Sequence, residues 1–408
     1  MNRVRVLYVT YDGVLEPLGQ SQVLSYLERL SHQFSITLLS FEKREDIDNR
    51  ARMDALRSRL DALGIEWVAL KYHKQPPIVS TAWDIVQGIR RARRIARTKP
   101  PDIVHARSYV PSVIALAIAS ATGARFLFDM RAFWVDEKVE SGGWKRGGLV
   151  YRGAKAFERR FLDRADAIVS LTYEGVRHLP DLGFRPERGI PIEVIPTCVD
   201  VRRFVPGPKD TGRLAALGLR GGPVAGCVGT LSNRYFREDT IRYLAYLAHA
   251  IPGLQILIIT RDDHERLRRD AAAAGLDLHR LVLVSADFAE MPDLVRLIDV
   301  GVFFMKPFFS QKGSAATKMA EFLACGIPVV VNDGVADSSA IVQKERVGIV
   351  MRDTSPQSFE QSLPAVRALF GDKDASKRCR EVAVRLFDVE AGAERYGTLY
   401  RTLGGKRS

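Results

Sequence analysis

The chain has 408 residues, 46% of them hydrophobic and 27% charged, a balance that fits two or three folded domains and excludes wholesale disorder or a fibrous repeat. Its formal net charge is +13. A charge of that size calls for an anionic partner: nucleic acid, a phosphorylated ligand or an anionic membrane.

The charge is unevenly placed. Residues 1–195 carry a net +8, and two short segments, 83–99 and 144–164, each supply +5, so the rest of that half is slightly acidic. All four tryptophans, Trp67, Trp83, Trp134 and Trp144, lie in the same half, and Trp83 and Trp144 open the two basic segments. Trp beside Arg suits a membrane–water boundary. No stretch approaches 18 consecutive apolar residues, and the opening MNRVRVLYVTYDG enters a strand pattern with no signal-peptide core. A cytoplasmic protein is therefore expected, peripheral on the inner face of the membrane at most. The four cysteines, Cys198, Cys227, Cys325 and Cys379, show neither CxxC pairing nor His spacing and read as buried thiols.

In chain order, short apolar runs at 4–10, 35–39, 67–70, 103–105, 126–128, 167–171 and 192–195 predict strands. Helix-period stretches at 21–33, 47–63 and 111–121 separate several of them. The helical segment 83–99 places Trp83, Val86, Ile89 and Ile95 or Ala96 near one stripe, with Arg90, Arg91, Arg93, Arg94 and Arg97 mostly elsewhere. That is the pattern of a membrane-surface helix, or of an ordinary helix with a solvated basic face. A polar, Gly- and Pro-containing break at 200–222 precedes a second series. Its strands are expected at 224–228, 255–259, 281–284, 300–304, 328–331 and 348–351, with helices at 239–250, 264–274, 292–297, 318–324 and 356–369. Such alternation predicts α/β architecture, two Rossmann-like, doubly wound parallel-sheet domains facing a cleft, with ligands beyond the carboxyl ends of the strands. The expected domains are 1–198, completed by a C-terminal helix at about 388–408, and 199–387.

The most specific segment is FFSQKGSAATKMAEFLACGIPVVVND, residues 308–333. A Ser- and Gly-rich loop opens a helix with Lys318 in its first turn, where unpaired N–H groups attract a phosphate. Glu321 follows within a turn, so a carboxylate able to accept two ribose hydroxyls shares a face with that cation. A plain capping pattern, with Thr317 as N-cap and Glu321 solvated, would use the same residues. After the first strand, Gly19 and Gln20 open a helix and let backbone approach a ligand. Asp129, Arg131, Trp134, Asp136 and Glu137 crowd behind another strand, a density that packing alone rarely needs. His105 and Arg107 close the strand before it, with His105 given only a minor role.

The 308–333 segment resembles the signature of retaining GT-B glycosyltransferases of family 4, in which a carboxylate leading into an "ACGxPVV" strand binds the nucleotide ribose. Three further segments are similar to the family in the same order. They are FLDRADAIVSLTYEGVRHL (161–179), the connector VIPTCVDVRRF (194–204) and CVGTLS (227–232). The resemblance implies a retaining, hexosyltransferase-like transfer from a UDP- or GDP-linked sugar to a hydroxyl of a glycan or lipid-linked acceptor, in cell-surface polysaccharide or glycolipid assembly. It makes the first domain the acceptor side and the second the donor side. It also implies that Glu321 holds the ribose, with Thr317, Lys318, Gly229, Thr230 and Arg234 or Arg237 at the diphosphate. Arg261 falls near the base or a phosphate unless Asp262 and Asp263 neutralise it. Gly19 and Gln20 fall near the donor phosphate. Arg131 and Asp129 fall at the reacting centre, unless they form only a structural ion pair.

Two departures stand out. The family's second carboxylate, eight residues before Glu321, is here Gly313, so backbone of the Gly313–Ser314 loop is expected to contact the donor. Thr230 stands where an Arg is usual. No DxD-like dyad or His/Asp cluster is visible, so arginines are expected in place of a metal, and the nucleotide sugar is a substrate rather than a cofactor. No second carboxylate is placed as a nucleophile, which favours front-face displacement over a covalent intermediate. No nucleic-acid motif accompanies the charge, so no nucleic-acid partner is expected. A catalytically degenerate subunit that binds membrane or a partner enzyme, and a GT-B nucleotide-sugar epimerase, stay open beside this reading.

Overall fold

Runs of β-branched and aromatic residues too short for helices become the strands of the first sheet. In the computed structural model, which describes residues 3–231 and 234–405, they are β1 (Arg5–Thr10), β2 (Ser35–Glu42), β3 (Glu66–Lys71), β4 (Ile103–Arg107), β5 (Arg125–Met130), β6 (Ala167–Ser170) and β7 (Ile192–Val194). All pair in parallel in the order β3-β2-β1-β4-β5-β6-β7. Parallel neighbours need crossovers. Helices α1 (Pro77–Thr98), α2 (Tyr109–Thr122) and α3 (Leu149–Arg164) supply three of them.

Helix α1 buries only the C-terminal part of its apolar stripe, Ile95 and Ala96, together with a row of small residues. The buried residues are Ser80, Asp84, Gly88, Ala92, Ile95 and Ala96, while Trp83 and Val86 are exposed. Small residues win the inner face because α1 and α2 approach closely: a Cβ on Gly88 would lie 2.4 Å from Ile114 Cδ1. Arg90, Arg91, Arg93 and Arg94 are exposed beyond Trp83 on the same helix.

The second series forms β8 (Val224–Val228), β9 (Gln255–Ile259), β10 (Leu281–Val284), β11 (Val300–Phe303), β12 (Val329–Asn332) and β13 (Gly348–Met351), again all parallel, in the order β10-β9-β8-β11-β12-β13. Alternation along β9 sends Leu257 and Ile259 to the core on one face and Ile256 and Ile258 to the other. Helices α4 (Arg237–Ala250), α5 (His264–Ala273) and α6 (Thr317–Ala324) pack against this sheet or its neighbours. In each sheet strand order reverses once, at β1/β4 and at β8/β11. Open α/β sheets bind ligands outside the strand ends at such a point.

The chain folds as two compact units. The first comprises residues up to Pro196, the tripeptide Lys312–Ser314 and the residues from Val389 onward, and the second comprises Thr197–Gln311 and Ala315–Asp388. The C-terminal helix α7 (Val389–Gly404) thus belongs to the first unit, where it packs on the helix Ser25–Leu30 and on β4. No helix among the described residues is long and apolar enough to cross a membrane. The four cysteines are free and buried.

Candidate functional site

In the second unit the site grows from the end of β8. Gly229, at φ +76°, turns the chain sharply out of the strand, a conformation glycine takes without strain. Thr230 donates its hydroxyl to Asp262 (2.9 Å), which also accepts the Leu231 N–H at 2.8 Å. Asp262 therefore holds the loop instead of neutralising Arg261, and Asp263 caps α5. Ser232, the last residue of the CVGTLS motif, lies outside the described residues.

Lys318, buried in the first turn of α6, reaches this loop. Its Nζ donates to the Thr230 carbonyl at 3.3 Å and sits 3.7 Å from the centre of the Tyr235 ring. The N-cap of α6 is Ala316, not Thr317, and no side chain caps the helix. Thr317 is the first helical residue, so the capping alternative, with Thr317 as N-cap, does not hold. Glu321 stands one turn further on. Burial pushes its carboxyl up to about 7, against Lys318 and Arg203, which pull it down.

Arg203 is a residue the sequence reading missed. It lies in the connector segment 194–204, its guanidinium 4.1 Å from the Phe288 ring centre and donating to the Phe288 carbonyl at 2.9 Å. The signal was present as a cation inside a matched motif, but its approach to Glu321 depends on the fold. Of the other predicted cations, Arg261 pairs with Asp287 at 2.8 Å and Arg237 with Asp270 of α5 at 2.9 Å. The Arg237 position thus serves the α4–α5 packing. Arg234 is partly buried, and its carbonyl accepts from the Lys306 N–H at 2.8 Å. The structure brings together Gly229, Thr230, Lys318 and Glu321, with Arg203 added.

In the first unit, the loop of Gly19 and Gln20 is held by its own contacts. Gly19 is buried, and a Cβ there would lie 2.1 Å from the Gly13 carbonyl, so its missing side chain serves the closure of its own loop. Gln20 spans that loop, donating to the Val14 carbonyl at 2.7 Å and accepting from Arg59 at 3.3 Å. Both residues shape the loop that follows β1. Gly313 is also explained: a Cβ would lie 2.9 Å from the Phe133 ring, which leaves no room for the carboxylate usual at that position. Ser314 beside it is buried.

The second cluster stands at the carboxyl ends of β1, β4 and β5. Register places Tyr8 beside His105 and Arg107 beside Asp129. Asp129, His105 and Arg107 are buried, and Arg131 is 9% exposed. Asp129 accepts from Tyr396 at 3.0 Å and from His105 Nε2 at 3.4 Å, and pairs with Arg131 at 3.5 Å. Since a carboxylate only accepts, His105 Nε2 carries the proton, and Nδ1 accepts from Tyr400 at 2.6 Å. Burial pushes His105 below its ordinary value, so the ring is neutral at pH 7. Burial would push Asp129 up, but Arg131 beside it, with His105, holds it down at about 2. Arg131 also donates to Gln22 at 3.3 Å and keeps its buried Nε without a partner.

Comparison with known proteins bears on the family and the fold. Residues 20–198 match the family described as glycosyl transferase 4-like domain, and residues 222–367 match glycosyl transferases group 1. The chain is 28% identical over 242 residues to a D-inositol 3-phosphate glycosyltransferase of Nocardia farcinica, covering 58% of this chain and 51% of that relative. It therefore spans about half the length of the curated relative it matches. A glycosyltransferase from Rickettsia africae shares the fold at a TM-score of 0.73, 14% identity and full coverage of both chains. So does HepE of Anabaena, solved in complex with UDP and glucose, at a TM-score of 0.71 and 15% identity, covering 99% of this chain and 100% of the other.

Two parallel-sheet α/β units with these likenesses define the GT-B class. Within it, the chain belongs to the family 4, group 1 glycosyltransferases.

Proposed function

We propose that the protein is a retaining glycosyltransferase that moves a sugar from a nucleoside-diphosphate donor to a hydroxyl of a glycan or lipid-linked acceptor. The observation that carries this is the convergence of Lys318, the uncapped start of α6, the Gly229–Thr230 turn and Glu321 in one place. A cation at the start of a helix suits a diphosphate, and a carboxylate one turn away suits ribose hydroxyls. The UDP and glucose held by HepE support a donor of this class.

In this mechanism Lys318 and the helix start stabilise charge on the departing diphosphate, commonly the largest catalytic contribution. The anomeric carbon–oxygen bond to phosphate breaks as the acceptor oxygen bonds to the same face. The leaving phosphate oxygen takes the acceptor's proton. Within the first unit, Arg131, held by Asp129, is assigned to binding a sugar. No covalent nucleophile is needed, and none stands at Gly313.

The test is release of nucleoside diphosphate from UDP- and GDP-sugars, with and without lipid acceptors. Glu321→Ala is expected to weaken the donor by about 10- to 100-fold, the loss of a charged hydrogen bond. No donor bound or turned over, with no effect of Glu321→Ala, overturns the reading. The raised carboxyl adds a pH signature. Ionisation through about pH 7 should strengthen donor binding as pH rises from about 6 to 8, with a flat profile in Glu321→Gln. The stability effect has the opposite sign. A carboxyl raised in the folded state favours folding below its ordinary value of 4.5 and loses that contribution as pH climbs through about 7. Thermal unfolding of the unliganded protein should show a loss of about 1–3 kcal/mol across that window, absent in Glu321→Gln.

We further propose that the basic helices rest on an anionic membrane, where a lipid-linked acceptor would be met. Ile78, Val79, Trp83 and Val86 are exposed on α1, and Leu149, Val150 and Phe157 on α3. Apolar residues beside exposed arginines suit an interfacial helix. Liposome flotation is expected to recover the protein with anionic vesicles and not with neutral ones. Replacing Arg90, Arg91, Arg93 and Arg94 by Gln should lower recovery about tenfold or more without changing Tm. Equal recovery on both vesicle types would sink this part.

A further inference from the structure

Asp84 is fully buried in the middle of the inner face of α1, where alanine or isoleucine would pack without desolvating a charge. Its carboxylate is compensated by three bonds. Tyr11 donates its hydroxyl at 2.8 Å, the His73 N–H donates at 3.0 Å, and His73 Nδ1 lies at 2.6 Å. Tyr11 follows β1 and His73 follows β3, so the group sits at the carboxyl edge of the first sheet, where open α/β sheets bind ligands. An apolar residue at position 84 would hold the helix as well. What the carboxylate adds is a fixed imidazole.

The fixed imidazole has a defined polarity. Nδ1 must carry its proton to donate to Asp84, which leaves Nε2 as a hydrogen-bonding atom on a ring that is about a third exposed, 36%. Beside it, the Tyr11 ring meets Tyr72 edge-on at 5.2 Å and Phe41 at 5.0 Å. Tyr11, Tyr72 and the His73 ring are partly exposed, while Phe41 backs Tyr11 from the core. Aromatic surface beside a ring nitrogen is the ordinary composition of a site for a hydroxylated ring, whose C–H face lies on the aromatic surface while one hydroxyl meets the nitrogen. The Asp129 cluster stands on the other side of β1, separated from this one by the ion pair of Arg107 with Asp12.

We propose that His73, held by Asp84 and flanked by Tyr11 and Tyr72, is a subsite for the hydroxylated ring, sugar or cyclitol, of the acceptor, with Nε2 bonded to one of its hydroxyls. This rests on the transfer reading above and assigns the acceptor's place within the first unit. His73 and Tyr72 touch the ligand, and Asp84 is a positioning residue that fixes the tautomer and the ring.

The test reads the imidazole directly. In proton–carbon NMR spectra of the full chain, the His73 Cε1–H signal is assigned by its loss in His73→Gln. Methyl α-glucoside, methyl α-mannoside, N-acetylglucosamine and myo-inositol are then added at millimolar concentration. At least one is expected to shift that signal and to accept sugar, with an acceptor KM raised about tenfold in His73→Gln and in Tyr72→Ala, while the donor KM changes less than about twofold. The proposal is overturned if none of the four moves the signal, or if an accepted compound keeps its KM in His73→Gln. It is equally overturned if the variants lower Tm with both KM values unmoved, the mark of a loop tie. Failure of the transfer reading is a separate result, no nucleoside diphosphate released by the unaltered protein from any donor. The NMR shift then decides the subsite alone.

Discussion

Lys318→Met is expected to lower turnover of a nucleotide-sugar donor by about 10²- to 10³-fold, the cost of removing one preorganised group from developing charge. The side chain is buried, so its ammonium is held by the Thr230 carbonyl and the Tyr235 ring before any donor arrives. Little reorganisation then remains at the moment of bond breaking. Methionine keeps the apolar stem and its packing, so Tm should change little while turnover falls. Steady-state kinetics with saturating donor would check this. An equal rise in donor KM with unchanged turnover would assign Lys318 to uniform binding instead of the leaving group.

The second large effect is expected on stability. Asp129→Asn leaves the buried Arg131 guanidinium without its counter-charge, a change that costs about 3–5 kcal/mol when one partner of a buried pair is removed. The hydrogen bonds from Tyr396 and His105 lose their ionised acceptor as well. Urea unfolding at pH 7 would measure it. In the unaltered protein the same pair appears in the acid limb. Asp129 titrates at about 2 against an ordinary 3.8, so its contribution is complete above about pH 4 and is lost as pH falls through about 2. The difference is about 2 kcal/mol. Asp129→Asn should lack that limb, and a variant equal in stability to the parent at pH 7 would show that the network carries no such weight.

The strands were legible because their cause is local: short continuous apolar runs such as QILII bury both faces whatever lies further along the chain. The face of α1 was legible only in part, at Ile95 and Ala96. Hydrophobicity pointed to Trp83 and Val86, but the close approach of α2 at Gly88 selects small residues, and that approach is a tertiary fact. The candidate site divides in the same way. Lys318 and Glu321 share a turn of helix and could be read together, whereas Arg203 comes to Glu321 from a distant connector. Gly19 shows a related difficulty. A glycine required by backbone packing and one required by a ligand look identical in a sequence, and only the Gly13 carbonyl 2.1 Å from its missing Cβ separates them. Arg237 likewise reads as a free cation until Asp270 of α5 is placed beside it.

Helix α7 gives the order of synthesis a cost. The hydroxyls that complete the Asp129 and His105 bonds belong to Tyr396 and Tyr400, which leave the ribosome after the whole second unit. Until then the first unit holds a carboxylate and an imidazole each short of one hydrogen-bond partner, with an apolar patch open where α7 will lie. The part made first is the part finished last. In the cell, it is the nascent N-terminal half that needs shelter from aggregation and proteolysis, for as long as the second unit takes to be translated.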